Sequence, residues 1–410
     1  MSEVIESATQ PPPATAWRKT LLLLIAYLGF ISLGLPDTVA GVAWPSVRNS
    51  FSLPQDHFGL VFIALGCGYC TSSFLGGGLM SRWGVGTLLT GSSLLVCVAM
   101  FGFASAPVWS LFVACAVIWG LGSGGIDSAL NSYASTYFST RHVNWLHACY
   151  SVGATVGPLL MTAMIVNRGS WRTGYVLVAV VLLLMSCLFL ATRQWWQQPA
   201  TTDSDPTAKP VGLLGTLRDP LVQLSIVVFF LYTGLEFTVG QWCYTILTES
   251  RNVPAKTAGM FAGAYFGAIG VGRVVLGMVA DRIGLDRMVR CSLVITFCGT
   301  LMLTVRSPVG VGLAGVLLTG LGLACVFPCL MARTPQRLGA TKAAHAIGFQ
   351  VSAAMLGVAL FPGAAGIAAR KPGLETIPLI AIALSSLLFL MHEWLIRRGL
   401  RSARPAATVS

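Results

Sequence analysis

Four charged residues stand apart in this sequence. Asp37, Asp127, Glu236 and Arg273 lie deep inside long apolar runs, whereas the other charges fall in polar stretches or at the edges of such runs. An ionised side chain at membrane depth costs about 2.5–3.5 kcal/mol on insertion scales, so each of the four needs a role that offsets it. The chemistry open to such acids is reversible protonation, which removes the charge and its burial cost together. Asp37 stands in GLPDTVAGVAWP, where Gly34, Pro36, Gly41 and Pro45 weaken helical bonding and let backbone polar groups face a cavity. Asp127 stands in GLGSGGIDSALNSYAS. Asn131 follows it by four residues, so carboxyl and amide share one helical face. Glu236 stands in YTGLEFTVGQW, followed by Gln241 and Trp242. Glu and Gln can bond hydroxyls, and Trp can stack on the apolar face of a sugar ring. Trp242 reads equally well as an interfacial anchor. Arg273 calls for a partner that the sequence does not name, or reaches loop carbonyls in a structural role. His147 opens another apolar run with Tyr150 and Ser151, in HACYSVGATVGP. Its expected depth matches that of Asp127, which makes the two a candidate proton-sensitive pair. His345, Phe349 and Gln350 hold the matching places later in the chain.

The elements that position these residues follow from composition. The chain has 410 residues, of which only 10% are charged and 55% apolar, with a mean hydropathy of +0.76. That is too little charge for a soluble surface of this area. Disorder and a collagen-like repeat are excluded as well, leaving a polytopic membrane protein. The 45 glycines fit closely packed membrane helices. Twelve apolar segments are expected to span, near 19–44, 57–80, 86–106, 109–136, 143–167, 171–192, 219–247, 256–279, 287–305, 308–331, 341–368 and 374–396. Basic residues favour one set of loops roughly two to one, which predicts both termini in the cytoplasm. The net charge of +12 is read this way, not as a nucleic-acid surface. There is no Asn-x-Ser/Thr sequon, in keeping with a bacterial inner membrane.

Residues 1–18 read as a disordered tail and 397–410 as a basic cytoplasmic tail. The polar stretch 193–218 reads as a cytoplasmic linker between six-helix bundles at 19–192 and 219–396. Cys67 and Cys70 have CxxC spacing but sit mid-span without a second ligand pair, so they read as packing residues. No catalytic triad, metal cluster or phosphate cradle is present in the sequence, and neither enzyme activity nor a cofactor is expected.

The halves repeat at an offset of 200. GLPDTV at 34–39 matches GLEFTV at 234–239, GLG at 120–122 matches GLG at 320–322, and GGLMSRWG at 77–84 matches GMVADRIG at 277–284. Several matches at one offset indicate duplication, and six-span repeats keep their orientation. Twelve spans as six plus six, a central linker and a glycine–acid–Arg–glycine signature after spans 2 and 8 resemble the major facilitator superfamily. The resemblance implies an all-α fold of two parallel six-helix repeats and transport by alternating access. Asp281 and Arg282 carry the signature in the second half, with Arg82 in the first, where Ser81 replaces the acid. These residues are expected to latch the halves. Within the superfamily, an acid on span 1, acid-x-x-x-Asn on span 4 and the His147 motif resemble the fucose permease-like sugar:proton symporters. That branch implies that Asp37 and Asp127 couple protons and bind solute.

The expectation is a monomeric secondary transporter of a small polar solute, most simply a sugar, coupled to H⁺. Na⁺ coupling stays open, because backbone carbonyls around 34–41 could ligate it. A proton-driven exporter of drugs or metabolites is the other reading, against which the sequence shows few aromatics near the acids. A receptor or scaffold is disfavoured, having no reason to bear the cost of three buried acids.

Overall fold

The computed structural model describes residues 16–196 and 213–403, and every regular element among them is helical. The helices are α1 Ala16–Ser50, α2 Phe58–Trp83, α3 Val85–Ser105, α4 Trp109–Tyr137, α5 Thr140–Arg168, α6 Trp171–Thr192, α7 Leu213–Leu217, α8 Pro220–Thr245, α9 Ala255–Ile283, α10 Leu285–Leu303, α11 Val309–Leu323, α12 Val326–Leu338, α13 Ala340–Ala369 and α14 Thr376–Ala403. Among the described residues, eleven segments are long and apolar enough to cross a membrane. The expected ninth span is present as α10, but its first turns carry Asp286, Arg287 and Arg290, which takes it outside that set. Those charges are tied down. Asp286 pairs with Arg337 at 2.6 Å and Arg333 at 3.0 Å, and Arg290 with Glu393 at 2.7 Å.

Residues 1–15, 197–212 and 404–410, and with them most of the expected tails and linker, lie outside the described residues. The parts that are described are more helical than expected. α1 starts at Ala16, and α14 runs on to Ala403. Interfacial ring–cation pairs suit such helix ends: the Arg18 guanidinium lies 5.5 Å from the rings of both Trp17 and Trp195, and Arg398 lies 5.3 Å from Trp394. The tenth span is not one helix. Pro328 cannot donate to the carbonyl of Ala324, and the chain breaks between α11 and α12.

α1 packs on α5, α2 on α4, and α3 on α4 and α6. The later helices repeat this, with α8 on α13 and α10 on α11. The two groups meet through α5–α9, α2–α13 and α1–α8. Both described chain ends lie at one end of the bundle, called the terminal end below; the other is the distal end.

The contacts refine the internal repeat. Thr38 donates to Ala154 O at 2.9 Å, and Thr233 to Ala354 O at 2.7 Å. A Cβ on Gly157 would meet Leu35 and Thr38; one on Gly357 would meet Phe230 and Thr233. The first helices of the two groups are therefore related by 195 residues, not 200, while Gly120 on Leu65 and Gly320 on Tyr265 keep 200 for α2, α4, α9 and α11. The GLPDTV–GLEFTV match is a false register. Tyr232, not Glu236 or its neighbour, occupies the place of Asp37, and Glu236 lies one turn beyond.

At the distal end, Arg251 and Glu375 form a pair at 2.8 Å, only 1% and 10% exposed. Burial alone would raise the Glu375 carboxyl. Hydrogen bonds from Arg251 and Ser250, with the charges of Arg251 and Arg306, outweigh it and hold the group below its ordinary 4.5. A depressed carboxyl contributes stability above the unfolded value, and that stability is lost as pH falls through the folded value. Glu375→Gln should lower stability at neutral pH by about 3 kcal/mol, because a buried guanidinium loses its counter-charge. Below pH 4.5 the gap between variant and native protein should shrink. Thermal unfolding across pH checks both; an equal gap at every pH would overturn it.

Candidate functional site

Midway along the bundle, three acids each meet a tyrosine. The Tyr150 hydroxyl on α5 donates to Asp37 Oδ2 on α1 at 2.8 Å. The Tyr69 hydroxyl on α2 donates to Asp127 Oδ2 on α4 at 2.6 Å. Asn131 Nδ2 donates to Asp127 Oδ1 at 2.9 Å, as the four-residue spacing requires. On α8, the Tyr232 hydroxyl donates to Leu323 O at 3.4 Å and stands within electrostatic reach of Glu236 and of Arg273 on α9. Asp127 acts electrostatically on Asp37, and Glu236 and Arg273 act on Tyr150. The three acids thus stand within electrostatic reach of one another or of one another's partners. Asp37, Tyr69, Asp127, Asn131, Tyr150 and Arg273 keep part of their surface accessible at mid-bundle, while Glu236 is buried.

Tyr69 and Tyr232 were not singled out from sequence. Tyr69 lies inside the Cys67–Cys70 stretch, where the cysteine spacing drew attention from the residue between them. The expectation of few aromatics near the acids is also corrected, since a ring hydroxyl attends each one. The α1–α5 and α2–α4 crossings bring these pairs together. They are close because glycines replace side chains: a Cβ on Gly34 would lie 2.2 Å from Tyr150 O, and one on Gly68 would lie 2.2 Å from Val117 O.

Arg273 finds partners that sequence reading missed. It faces Tyr232 and Glu236 in its own group and crosses to α5, where Nη1 donates to His147 O and Ser151 Oγ, both at 3.4 Å. It does not reach down to loop carbonyls. Its Nε is buried without a hydrogen-bond partner.

Four expected residues fall elsewhere. The His147 ring stands edge-on to Phe30 at 5.3 Å, and the contacts of Asp127 are Tyr69 and Asn131. The His147–Asp127 pair is not formed, because the backbone carbonyl of His147, not its ring, faces the polar centre. Trp242 is neither an interfacial anchor nor a cavity wall. It is fully buried, bonds Pro362 O at 2.9 Å and meets Phe58 edge-on at 5.3 Å. Gln241 is also fully buried and donates to Asp37 O at 2.7 Å. Gln350 turns away, accepting from Thr334 and donating to Ser225 at 3.0 Å. Arg82 and Arg282 are exposed at helix ends, and the Asp281 side chain lies outside the described residues.

The two groups are locked at the distal end. Arg48 and Gln55 both bond Glu249, at 2.8 and 2.7 Å, and Arg370 reaches Asp56 at 3.5 Å. Gly59 of α2 and Gly363 of α13 touch backbone to backbone. At the terminal end, every ion pair among the described residues stays within the second group. The conformation is closed distally.

The sequence model of the Major Facilitator Superfamily matches residues 26–247 and again 224–408. The chain belongs to the Major Facilitator Superfamily. Membership makes it a multi-pass membrane transporter of the secondary type and not an enzyme. It is 25% identical over 404 residues to the 3-(3-hydroxy-phenyl)propionate transporter of Escherichia coli, covering 92% of this chain and 97% of that one. The fold matches a bacterial homologue of the human lysosomal transporter Spinster, inward-facing and unoccupied, with a TM-score of 0.75 at 12% identity over 97% of this chain and all of that one. It also matches the MFS transporter FucP in its outward conformation, with a TM-score of 0.63 at 16% identity over 92% and 99% of the chains.

Proposed function

We propose that this chain moves a small polar solute, a sugar, across the membrane in step with protons. The observation that carries the reading is the pair of tyrosine-bonded carboxylates, Asp37–Tyr150 and Asp127–Tyr69, inside one partly accessible space of a membrane transporter. A solute hydroxyl can take the place of a tyrosine hydroxyl at either acid, and a proton can cancel the charge that remains. Asp127, with Asn131 beside it, is the group assigned to the coupling proton. Asp37 and Tyr150 hold the solute.

With the closed distal end outside, loop charge argues for a cytoplasmic terminal end. Arg82, Asp281 and Arg282 stand at that end, where a latch would close the opposite state. A bacterial inner-membrane location and a monomeric carrier complete the proposal.

Proteoliposomes test it. An imposed pH gradient should drive accumulation of a hexose, and a protonophore should abolish it. A Na⁺ gradient alone should drive none. Accumulation that follows Na⁺ and ignores pH would reject proton coupling, and proton-driven loss of organic cations without hexose movement would favour an exporter.

A further inference from the structure

The two halves of the central space are chemically unlike. Offset 200 holds for α4 and the segment α11–α12, and for α2 and α9. Asp127, Asn131 and Tyr69 of the first group are thus matched by Phe327, Met331 and Ile269 of the second. A hydrogen-bonding cluster on one side of the pseudo-twofold axis faces a hydrocarbon cluster on the other. Phe327 sits just beyond the α11–α12 break and stays partly accessible, like Asp127 opposite it. Its ring lies 6.0 Å from that of Tyr232 and 5.3 Å from that of Phe229. Tyr232 in turn lies near Glu236, which is buried, and Arg273, which is partly accessible. The second half therefore offers the partly accessible ring of Phe327, backed by the buried rings of Phe229 and Tyr232. The first offers two carboxylates, an amide and two phenols.

A bare hexose offers Phe327 only the C–H face of its ring, whereas an aromatic substituent offers a whole ring for it to pack on. We propose that the solute is amphipathic, a glycoside with an aromatic aglycone, whose sugar hydroxyls meet Asp37 and Tyr150 and whose aglycone lies against Phe327. This rests on the sugar reading above and narrows it. Dispersion and burial hold the aglycone, while the buried polar groups of the first half demand hydroxyls.

Phenyl β-D-glucoside and methyl β-D-glucoside are the probes. They share every hydroxyl and differ only in the group that would reach Phe327. The full chain in lipid nanodiscs, free of glycoside detergent, is titrated with each and followed by thermal stability. The phenyl compound should reach half-saturation at a concentration about tenfold lower or less, as burial of an added ring predicts. Phe327→Ala should erase that preference, and Phe327→Trp should keep it. Size-exclusion profiles of both variants establish that they are folded. Equal half-saturation for the two glucosides, or a preference that survives in Phe327→Ala, overturns the aglycone assignment and leaves the sugar reading standing. Stabilisation by phenyltrimethylammonium, with neither glucoside acting, overturns both.

Discussion

Asp127→Asn should abolish uphill accumulation while leaving solute exchange intact. Asparagine keeps an oxygen that can accept from Tyr69, now at 2.6 Å, and the size of the side chain is unchanged. What it loses is the ability to gain and release a proton. A gradient of about two pH units supplies roughly 2.7 kcal/mol for each proton carried, which supports about a hundredfold accumulation at one proton per solute. The variant should settle near the external concentration, a loss of the whole hundredfold. Counterflow needs only binding and reorientation of the loaded carrier, so it should persist. Asp37→Asn is the comparison. If Asp37 holds solute, its variant should lose counterflow too: the amide can still accept from Tyr150, but its NH2 replaces the second acceptor oxygen that a solute hydroxyl would bond. Full pH-driven accumulation by Asp127→Asn would remove Asp127 from the coupling role, and loss by Asp37→Asn alone, with counterflow kept, would move the proton to α1.

The helices and the acids were legible because both follow from solvent physics acting along the chain. A span is a run of apolar residues, and a charge inside it is conspicuous. The ninth expected span is present as α10 although Asp286, Arg287 and Arg290 crowd its start, because the apolar run that follows them is itself long enough to read as a span. Partners across helices were less legible. The Asn131–Asp127 bond follows from helical spacing alone, but Tyr69 and Tyr232 needed the α2–α4 and α8–α9 crossings to show what they face. Gln350 and Trp242 sit at positions that looked site-like in one dimension, yet their helical azimuth points them into packed neighbours. The register error between α1 and α8 has the same root. GLPDTV and GLEFTV match as strings, whereas backbone contacts to Gly157 and Gly357 require a shift of five residues. Glycine, threonine and valine recur so often in membrane helices that short matches carry little positional information.

Gly59→Val should stop the cycle by removing the distally closed state. A Cβ on Gly59 would lie 2.5 Å from Gly363 Cα, and one on Gly363 would lie 2.7 Å from Gly59 Cα. Both obstacles are backbone, so no rotamer change relieves them. The polar lock around this contact is weaker. Arg48 and Glu249 are 23% and 25% exposed, and such pairs contribute on the order of 1 kcal/mol or less. Glu249→Gln should therefore shift the balance of states only several-fold. A branched side chain wedged between α2 and α13 costs several kcal/mol, enough to shift it by about a thousandfold. Spin labels at Ser52→Cys and Lys371→Cys, both exposed, on a cysteine-free background report the distal separation. The native chain should show a short distance, and Gly59→Val a longer one with turnover reduced at least about tenfold. Gly363→Ala, meeting the same backbone from α13, should move the distance the same way. A short distance and normal turnover in Gly59→Val would mean that α2 and α13 do not close on each other during transport. Because the wedge acts on the state and not on the solute, this result stands whichever solute the carrier moves. Combined with the Asp127 variant, it separates a failure to bind or release protons from a failure to close.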